Sequence, residues 1–238
     1  VWQVACSLNI WPEYIFPSPL AVLRRFIETL HNSTLLIAIS TSLRRIVIGF
    51  GISLIGGVIT GLLVGRSTLL QDTIGSIMLG LQTLPSICWL PLALLWFGLS
   101  ERAILFVIIM GAFVAVAVST EVGVRQIPPL YLQAARNMGA RGFRLYWDVI
   151  IPAALPGMIT GMKLGWSFAW RSLMAGELLY VNLGLGHLLM MGRELSDMAQ
   201  VVMVMLILII IGLISDKLIF ARLESFVYER WGLRKDIR

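Results

Sequence analysis

Apolar residues run through this chain in long blocks, and short polar stretches separate them. A bilayer core about 30 Å thick takes roughly 20 residues of helix to cross. Residues 46–65, 73–98, 103–118, 149–181 and 198–214 are each predicted to be a membrane-crossing helix, and 198–214 is the most uniformly apolar. Residues 1–10 read as the tail of a further span, with Val1 rather than Met at the start. That span would make six. The predicted fold is all-α and polytopic, with five core spans. Residues 1–34 hold the end of the upstream span, a surface loop and an amphipathic helix. Residues 35–222 form the membrane domain, with a polar hairpin at 126–148. Residues 223–238 form a tail.

Glycine and proline qualify this pattern. The first span carries Gly49, Gly51, Gly56, Gly57, Gly61 and Gly65. Gly57 and Gly61 are four apart, the spacing of small residues that lets two helix backbones approach closely. Pro85 and Pro91 are expected to break the second span, because proline lacks the N–H a helix needs. Such breaks survive in a membrane only where protein or a water-filled cavity covers the freed backbone. Gln82, Thr83 and Ser86 surround the first break, so this region is a candidate pathway lining. Pro152 and Pro156 open the fourth span. Ahead of all the spans, Leu20, Leu23, Ile27 and Leu30 recur at helical spacing, with Arg24, Arg25 and Glu28 between them. That stripe fits a helix lying at the membrane surface. It equally fits one packed on the protein's own loops.

Composition agrees with the pattern. The chain is 58% hydrophobic and 13% charged, against about 45–50% and about 25% for soluble domains. The net charge of +6 suits a membrane protein with basic loops. No basic soluble face with stacking aromatics is present, which argues against nucleic acid as a partner. Cys6 and Cys88 lie in apolar surroundings and read as two buried free thiols. His31 and His187 stand apart, so neither a metal site nor a nucleophile–base pair is expected.

Basic residues orient membrane proteins, their excess lying on the cytoplasmic side. The 126–148 loop holds Arg136, Arg141 and Arg144, and the C-terminal region holds Lys217, Arg222, Arg230, Arg234, Lys235 and Arg238. Two spans separate these regions, so both fall on one side, read as cytoplasmic. Arg24, Arg25, Arg44, Arg45, Arg102 and Arg193 then fall near the outer face. Arg44 and Arg45 are expected to snorkel to headgroups.

The hairpin has its own punctuation. Pro128 and Pro129 can open a helix, and Gly139 suits the left-handed residue that ends one. A second short helix is expected from Phe143 to Ile151, stopping before Pro152. Counting Gln133 as the first position, Ala134 and Ala135 follow, Gly139 is the seventh, Val149 the seventeenth, and Ile151 and Pro152 the nineteenth and twentieth. This resembles the signature loop of ABC importer permeases, Glu-Ala-Ala, then Gly, then Ile-x-Leu-Pro. Gln133, Val149 and Ile151 depart from it, and Gln133 removes a charge used in docking.

Phe16-Pro17-Ser18-Pro19, Leu90-Pro91-Leu92 with Trp96-Phe97-Gly98, Ala153-Ala154-Leu155-Pro156, Ala175-Gly176-Glu177 and Gly184-Leu185-Gly186 occur in the order of the nitrate, sulfonate, taurine and bicarbonate branch. The resemblance covers nearly all of residues 12–231. It implies a type I, binding-protein-dependent importer permease of the bacterial inner membrane, usually homodimeric. Gln133, Ala134, Ala135, Arg136, Gly139, Ala140 and Arg141 would dock an ATPase subunit. A separate extracytoplasmic protein would deliver the substrate. The chain has no Gly-x-x-x-x-Gly-Lys-Ser/Thr phosphate loop. It would therefore bind no cofactor, ATP and Mg being used by the partner.

Two charges fall inside the fourth span. An arginine at a helix centre costs at least about 2.5–3.5 kcal/mol in a membrane, so Arg171 is expected to face the interior of a dimer or to have a partner. It is a candidate for binding an anionic substrate with its planar fork, or for a structural pair with a neighbouring helix. Glu177 lies six positions on, about 240° around the helix, so the two are not expected to pair. Glu177, the deep carboxylate, is a candidate for the substrate pathway with Arg171, Trp166, Trp170, Gln82 and Ser86, closing an outer gate or capping a helix. Trp166 and Trp170, four apart, either pack or wall an organic substrate. An ion-coupled transporter or channel is the alternative function. That class shows intramembrane carboxylates and paired broken helices in two repeated halves, and no repeated halves are visible here. An intramembrane enzyme lacks a catalytic constellation.

Overall fold

The computed structural model describes residues 2–7, 12, 15–179 and 182–230, and it is helical with no strand among them. Four helices are long and apolar enough to cross a membrane: Thr34–Val64, Glu101–Arg125, Gly142–Leu178 and Met198–Val227. A fifth crossing is split into Thr68–Gln82 and Ser86–Phe97, bent by 103°. These are the five expected spans. Part of the 1–10 segment and residues 231–238, with Arg234, Lys235 and Arg238, lie outside the described residues.

The spans are longer than the apolar runs, because their polar residues find partners inside the protein. The first span begins at Thr34, twelve residues ahead of the expected start, after Ser33 in the left-handed region at φ 58°. Ser42 and Arg45 lie within it and are fully buried. The third begins where the Ser100 side chain accepts the Ala103 N–H and continues past residue 118 through buried Thr120 and Glu121. Thr120 returns its hydroxyl proton to the Val116 carbonyl at 2.7 Å.

Proline behaves differently at its several positions. The second span breaks once, at residues 83–85; Pro91 sits in the first turn of the helix that follows and breaks nothing. The expected stop before Pro152 is also overturned. The helix from Gly142 runs through Pro152 and Pro156 to Leu178. A π-helical turn at Tyr146–Ile150 ends two residues before Pro152. One residue more per turn loosens the bonding ladder where proline donates nothing, so the helix continues. Cys88 is exposed, not buried as expected, and Cys6 is half-buried.

The first, third and fourth spans form one block. Gly49, Ser53, Gly57 and Gly61 are buried along one ridge of the first span, four apart. A methyl on Gly57 would stand 2.9 Å from Val116, and one on Gly65 2.8 Å from Val124. Between the third and fourth spans the approach is backbone to backbone: a Cβ on Gly157 would lie 2.7 Å from the Gly123 Cα. Close packing takes the place of the hydrophobic effect, which drives nothing between helices already in lipid.

A lead helix, Pro19–His31, is capped by Ser18 and packs Val22 and Phe26 against the last span. Arg25 lies 2.9 Å from Asp197 and donates to Gln200. The stripe of Leu20, Leu23, Ile27 and Leu30 faces away from the protein and is exposed. The contacts inside the protein therefore belong to the opposite face.

Candidate functional site

The hairpin joins the third and fourth spans. Its helix, Pro129–Asn137, ends in a hydrogen-bonded cap: the N–H of Gly139 donates to the Arg136 carbonyl and that of Ala140 to the Ala135 carbonyl, at 3.0 and 2.9 Å. Gly139 has φ +85°, where a side chain would be strained. The cap turns the chain sharply, and the hairpin stands on the block below. Ala135 is buried in a cluster with Val124, Ile127, Leu145, Ile150, Ala154 and Met158, and Ala140 packs against it. These two alanines hold the hairpin to its own base. Gln133, Ala134, Arg136, Gly139 and Arg141 are exposed.

The surface beside them carries large apolar side chains. Leu130, Tyr131, Met138, Phe143 and Trp147 are all exposed, Met138 at 88% and Phe143 at 81%. The Phe143 and Trp147 rings stack at 6.1 Å. Their spacing of four after the glycine was the available signal. Large apolar side chains gathered at one end and rimmed by Arg136, Arg141 and Arg144 mark an interaction surface.

The break in the second span frames a cavity of about 250 Å³. Gln82, Thr83 and Ser86 from the break, Gly111 from the third span, and Phe168 and Arg171 from the fourth line it. The Arg171 guanidinium lies over the Phe168 ring, 5.3 Å from its centre. Ser172 is fully buried beside Gly111, and its hydroxyl has no partner. The structure thus brings Gln82, Ser86 and Arg171 together. Nothing in the sequence pattern pointed to Ser172.

A second, larger groove of about 910 Å³ lies between the fourth and last spans. Trp166, Trp170 and Arg171 line it, as do Lys163 and Asp216, which pair at 3.3 Å. Trp166 also packs edge-on against Phe50 and Trp170, at 5.2 and 6.1 Å. Both indole N–H groups are buried without a partner. Arg171 is the residue the two spaces share.

Glu177 lines neither space. It is fully buried, and its carboxylate accepts from Arg45 at 2.8 Å, from the Ser42 hydroxyl at 2.8 Å and from the Gly186 N–H at 2.9 Å. Arg45 also donates through Nε to Glu101 at 2.9 Å. Arg45 is 1% exposed and does not snorkel as expected. A planar fork between two carboxylates satisfies a buried arginine inside the protein better than a stretch to the surface. Arg44, its neighbour, is exposed. Glu121 is a second buried carboxylate, lying 3.6 Å from Arg125.

The chain that carries this hairpin has matches among known proteins. Residues 53–224 match the family described as the binding-protein-dependent transport system inner membrane component. The chain belongs to this family. It is 30% identical to the nitrate import permease protein NrtB of Synechocystis sp. over 95% of this chain and 84% of that protein. It is 28% identical to the taurine transport system permease protein TauC of Escherichia coli over 82% of this chain and 72% of that one. The fold matches the methionine ABC transporter MetNI with a TM-score of 0.64 at 19% identity, over 81% of this chain and 97% of that chain. The chain is therefore an ABC importer permease of the branch that holds the nitrate, sulfonate and taurine permeases, a multi-pass membrane protein of a transport family. Permeases of this family work with an ATPase and a substrate-binding protein.

Proposed function

We propose that this chain is the membrane-spanning subunit of an ATP-driven importer that moves a small anion, of sulfonate, taurine, nitrate or bicarbonate type, into the cytoplasm by alternating access. The observation that carries this reading is Arg171. It is the cation shared by a cavity at a broken helix and a groove beside it, in a chain whose relatives are named for nitrate and taurine. Irregular backbone at membrane depth belongs where it lines a pathway, and a guanidinium fork matches the oxygens of a planar or tetrahedral anion. Gln82 and Ser86 add neutral donors opposite it. Trp166 and Trp170 wall the groove side. Glu177 has no part in binding in this reading.

The hairpin is the docking element. Gln133, Ala134, Arg136, Gly139 and Arg141, with Met138, Phe143 and Trp147, present an apolar and cationic surface to an ATPase subunit. Ala135 and Ala140 support it from below. ATP and Mg are held by that partner. When the ATPase subunits close, each hairpin moves with them. The block of the first, third and fourth spans follows as a unit, because its glycine contacts leave no slack for the helices to slide separately. A homodimer supplies two such blocks. An extracytoplasmic binding protein delivers the anion to the face opposite the hairpins. The hairpins and the C-terminal end lie in the cytoplasm.

The test is reconstitution in liposomes with the ATPase and binding protein. Uptake that requires internal ATP and falls about tenfold or more in Arg171→Ala, with binding-protein affinity unchanged, is the expected result. Uptake by the permease alone under a proton gradient would replace this reading with an ion-coupled transporter. Unchanged uptake in Arg171→Ala across substrate concentrations would remove Arg171 from the pathway.

A further inference from the structure

The buried charges at the end opposite the hairpin have no role in the pathway just described. They are nonetheless densely bonded among the described residues. Ser42 and Arg45 come from the first span, Glu101 from the first residue of the third, and Glu177 from the last turn of the fourth. These are the three helices of the glycine-packed block. The fourth participant is different in kind. Leu185–Glu194 is a short cap helix in the connection between the fourth and last spans. Its first two N–H groups have no partner within their own helix, as at any helix start. Gly184, just before it, offers no side chain to cap them.

Both donors are satisfied from the block. The Leu185 N–H donates to the Ser42 hydroxyl at 2.9 Å, and the Gly186 N–H to the Glu177 carboxylate at 2.9 Å. A carboxylate at this position also faces the positive end of the helix dipole. The fit is tight. A Cβ on Gly184 would stand 2.6 Å from the Glu177 carboxyl carbon, and one on Gly186 2.6 Å from the Glu177 Cβ. Arg45 sets where that carboxylate sits, because its guanidinium is gripped from the other side by Glu101. From the cap helix the chain of bonds continues outward: Gln200 donates to the Leu188 carbonyl at 2.7 Å, and Arg25 of the lead helix donates to Gln200 at 2.9 Å.

We propose that Arg45 is a positioning residue which, through Glu177 and Ser42, locks the cap helix to the three-span block. The outer connection then moves as a rigid extension of the helices that carry the hairpin. Movement at the ATPase end reaches the face where substrate is handed over, and binding-protein contact at that face reaches the hairpin. This rests on the transport reading above; the lock itself can be tested without it.

Two variants break the lock at different strengths. Arg45→Gln removes the grip on Glu177. Ser42→Ala removes a single hydroxyl from a site that readily holds alanine, and it decides the matter should Arg45→Gln fail to assemble. In the reconstituted permease, amide exchange at Leu185 and Gly186 should quicken by about tenfold or more in each variant while the hairpin amides of residues 130–140 keep their rates. In the assembled transporter, basal ATPase activity should hold, whereas stimulation by the binding protein should fall several-fold, and Arg45→Lys should restore part of it. Unchanged exchange at Leu185 and Gly186 overturns the lock. Quickened exchange with full stimulation overturns its role in coupling. A wild-type transporter that the binding protein does not stimulate counts against the transport reading, and the exchange rates still decide the lock.

Discussion

The hairpin arginines and Arg45, at the other end of this permease, are held in opposite ways. At the hairpin end Arg136, Arg141 and Arg144 are exposed, and the pair from Arg144 to Asp148 is a 3.5 Å contact between side chains 81% and 54% accessible. At the other end Arg45 is buried between two carboxylates. Exposed charges contribute little to the fold and remain available to a partner. Buried ones hold the fold and are available to nothing else. A charge count along the sequence treats the two ends alike; only burial separates an interface from a fastening.

The largest expected effect follows from the buried end. The Glu177 carboxylate is the shared acceptor of Arg45, the Ser42 hydroxyl and the Gly186 N–H, and each buried donor left without it costs about 1–3 kcal/mol even though Arg45 keeps Glu101. Glu177→Ala should therefore lower the unfolding temperature in detergent sharply and reduce the yield of folded protein. A variant that unfolds with the wild type would show that water reaches Arg45, and the contrast between the two ends would collapse.

The block between the ends comes next. Gly157 meets the Gly123 backbone, which cannot swing aside as a side chain can. Gly157→Val should cost about 1–3 kcal/mol through overpacking, whereas Gly51→Val, with nothing within 4 Å, should cost well under 1 kcal/mol. Equal losses from both would mean that the close crossing is not what binds the third and fourth spans. At the hairpin, Gly139→Ala places a methyl in the left-handed region and should cost about 1–2 kcal/mol. Circular dichroism melts of the purified permease read all three variants.

How much of this the sequence disclosed depended on where each residue's partner lay. The five spans and the hairpin were legible because apolar runs, prolines and Gly139 act locally, within a few residues of themselves. Span ends were misjudged where polar residues are satisfied by distant ones. Ser42 and Arg45 looked like a boundary, yet their partners Glu101 and Glu177 are 56 and 132 to 135 residues away from them. Pro152 was read as a stop because the rule for proline is also local; the π turn before it relieves the conflict. Gln82 and Ser86 stand out by their place at the Pro85 break, and Arg171 by its charge inside a span. Their meeting in one cavity depends on the 103° bend, which no spacing reveals. Ser172 was missed because a serine in a helix normally bonds to its own backbone.

The smallest stability effect is the most informative about the hairpin. Phe143 is 81% exposed and stacks on Trp147, which is itself 64% exposed. Replacing Phe143 by Ser gives up one exposed stacking contact, and Arg144→Ala gives up one exposed ion pair, so each should shift stability by no more than about 0.5–1 kcal/mol. If the hairpin's exposed side chains exist for a partner, the same two variants should behave unequally in assembly. Phe143→Ser removes an apolar anchor of the kind that dominates binding energy, and should weaken ATPase-subunit binding about tenfold or more. Arg144→Ala removes a rim charge and should change mainly the association rate and its dependence on salt. Surface binding kinetics at two salt concentrations separate these outcomes. A Phe143→Ser variant that unfolds early yet binds its partner normally would mean that the hairpin's aromatic residues are fastenings after all, and that the two ends are built alike.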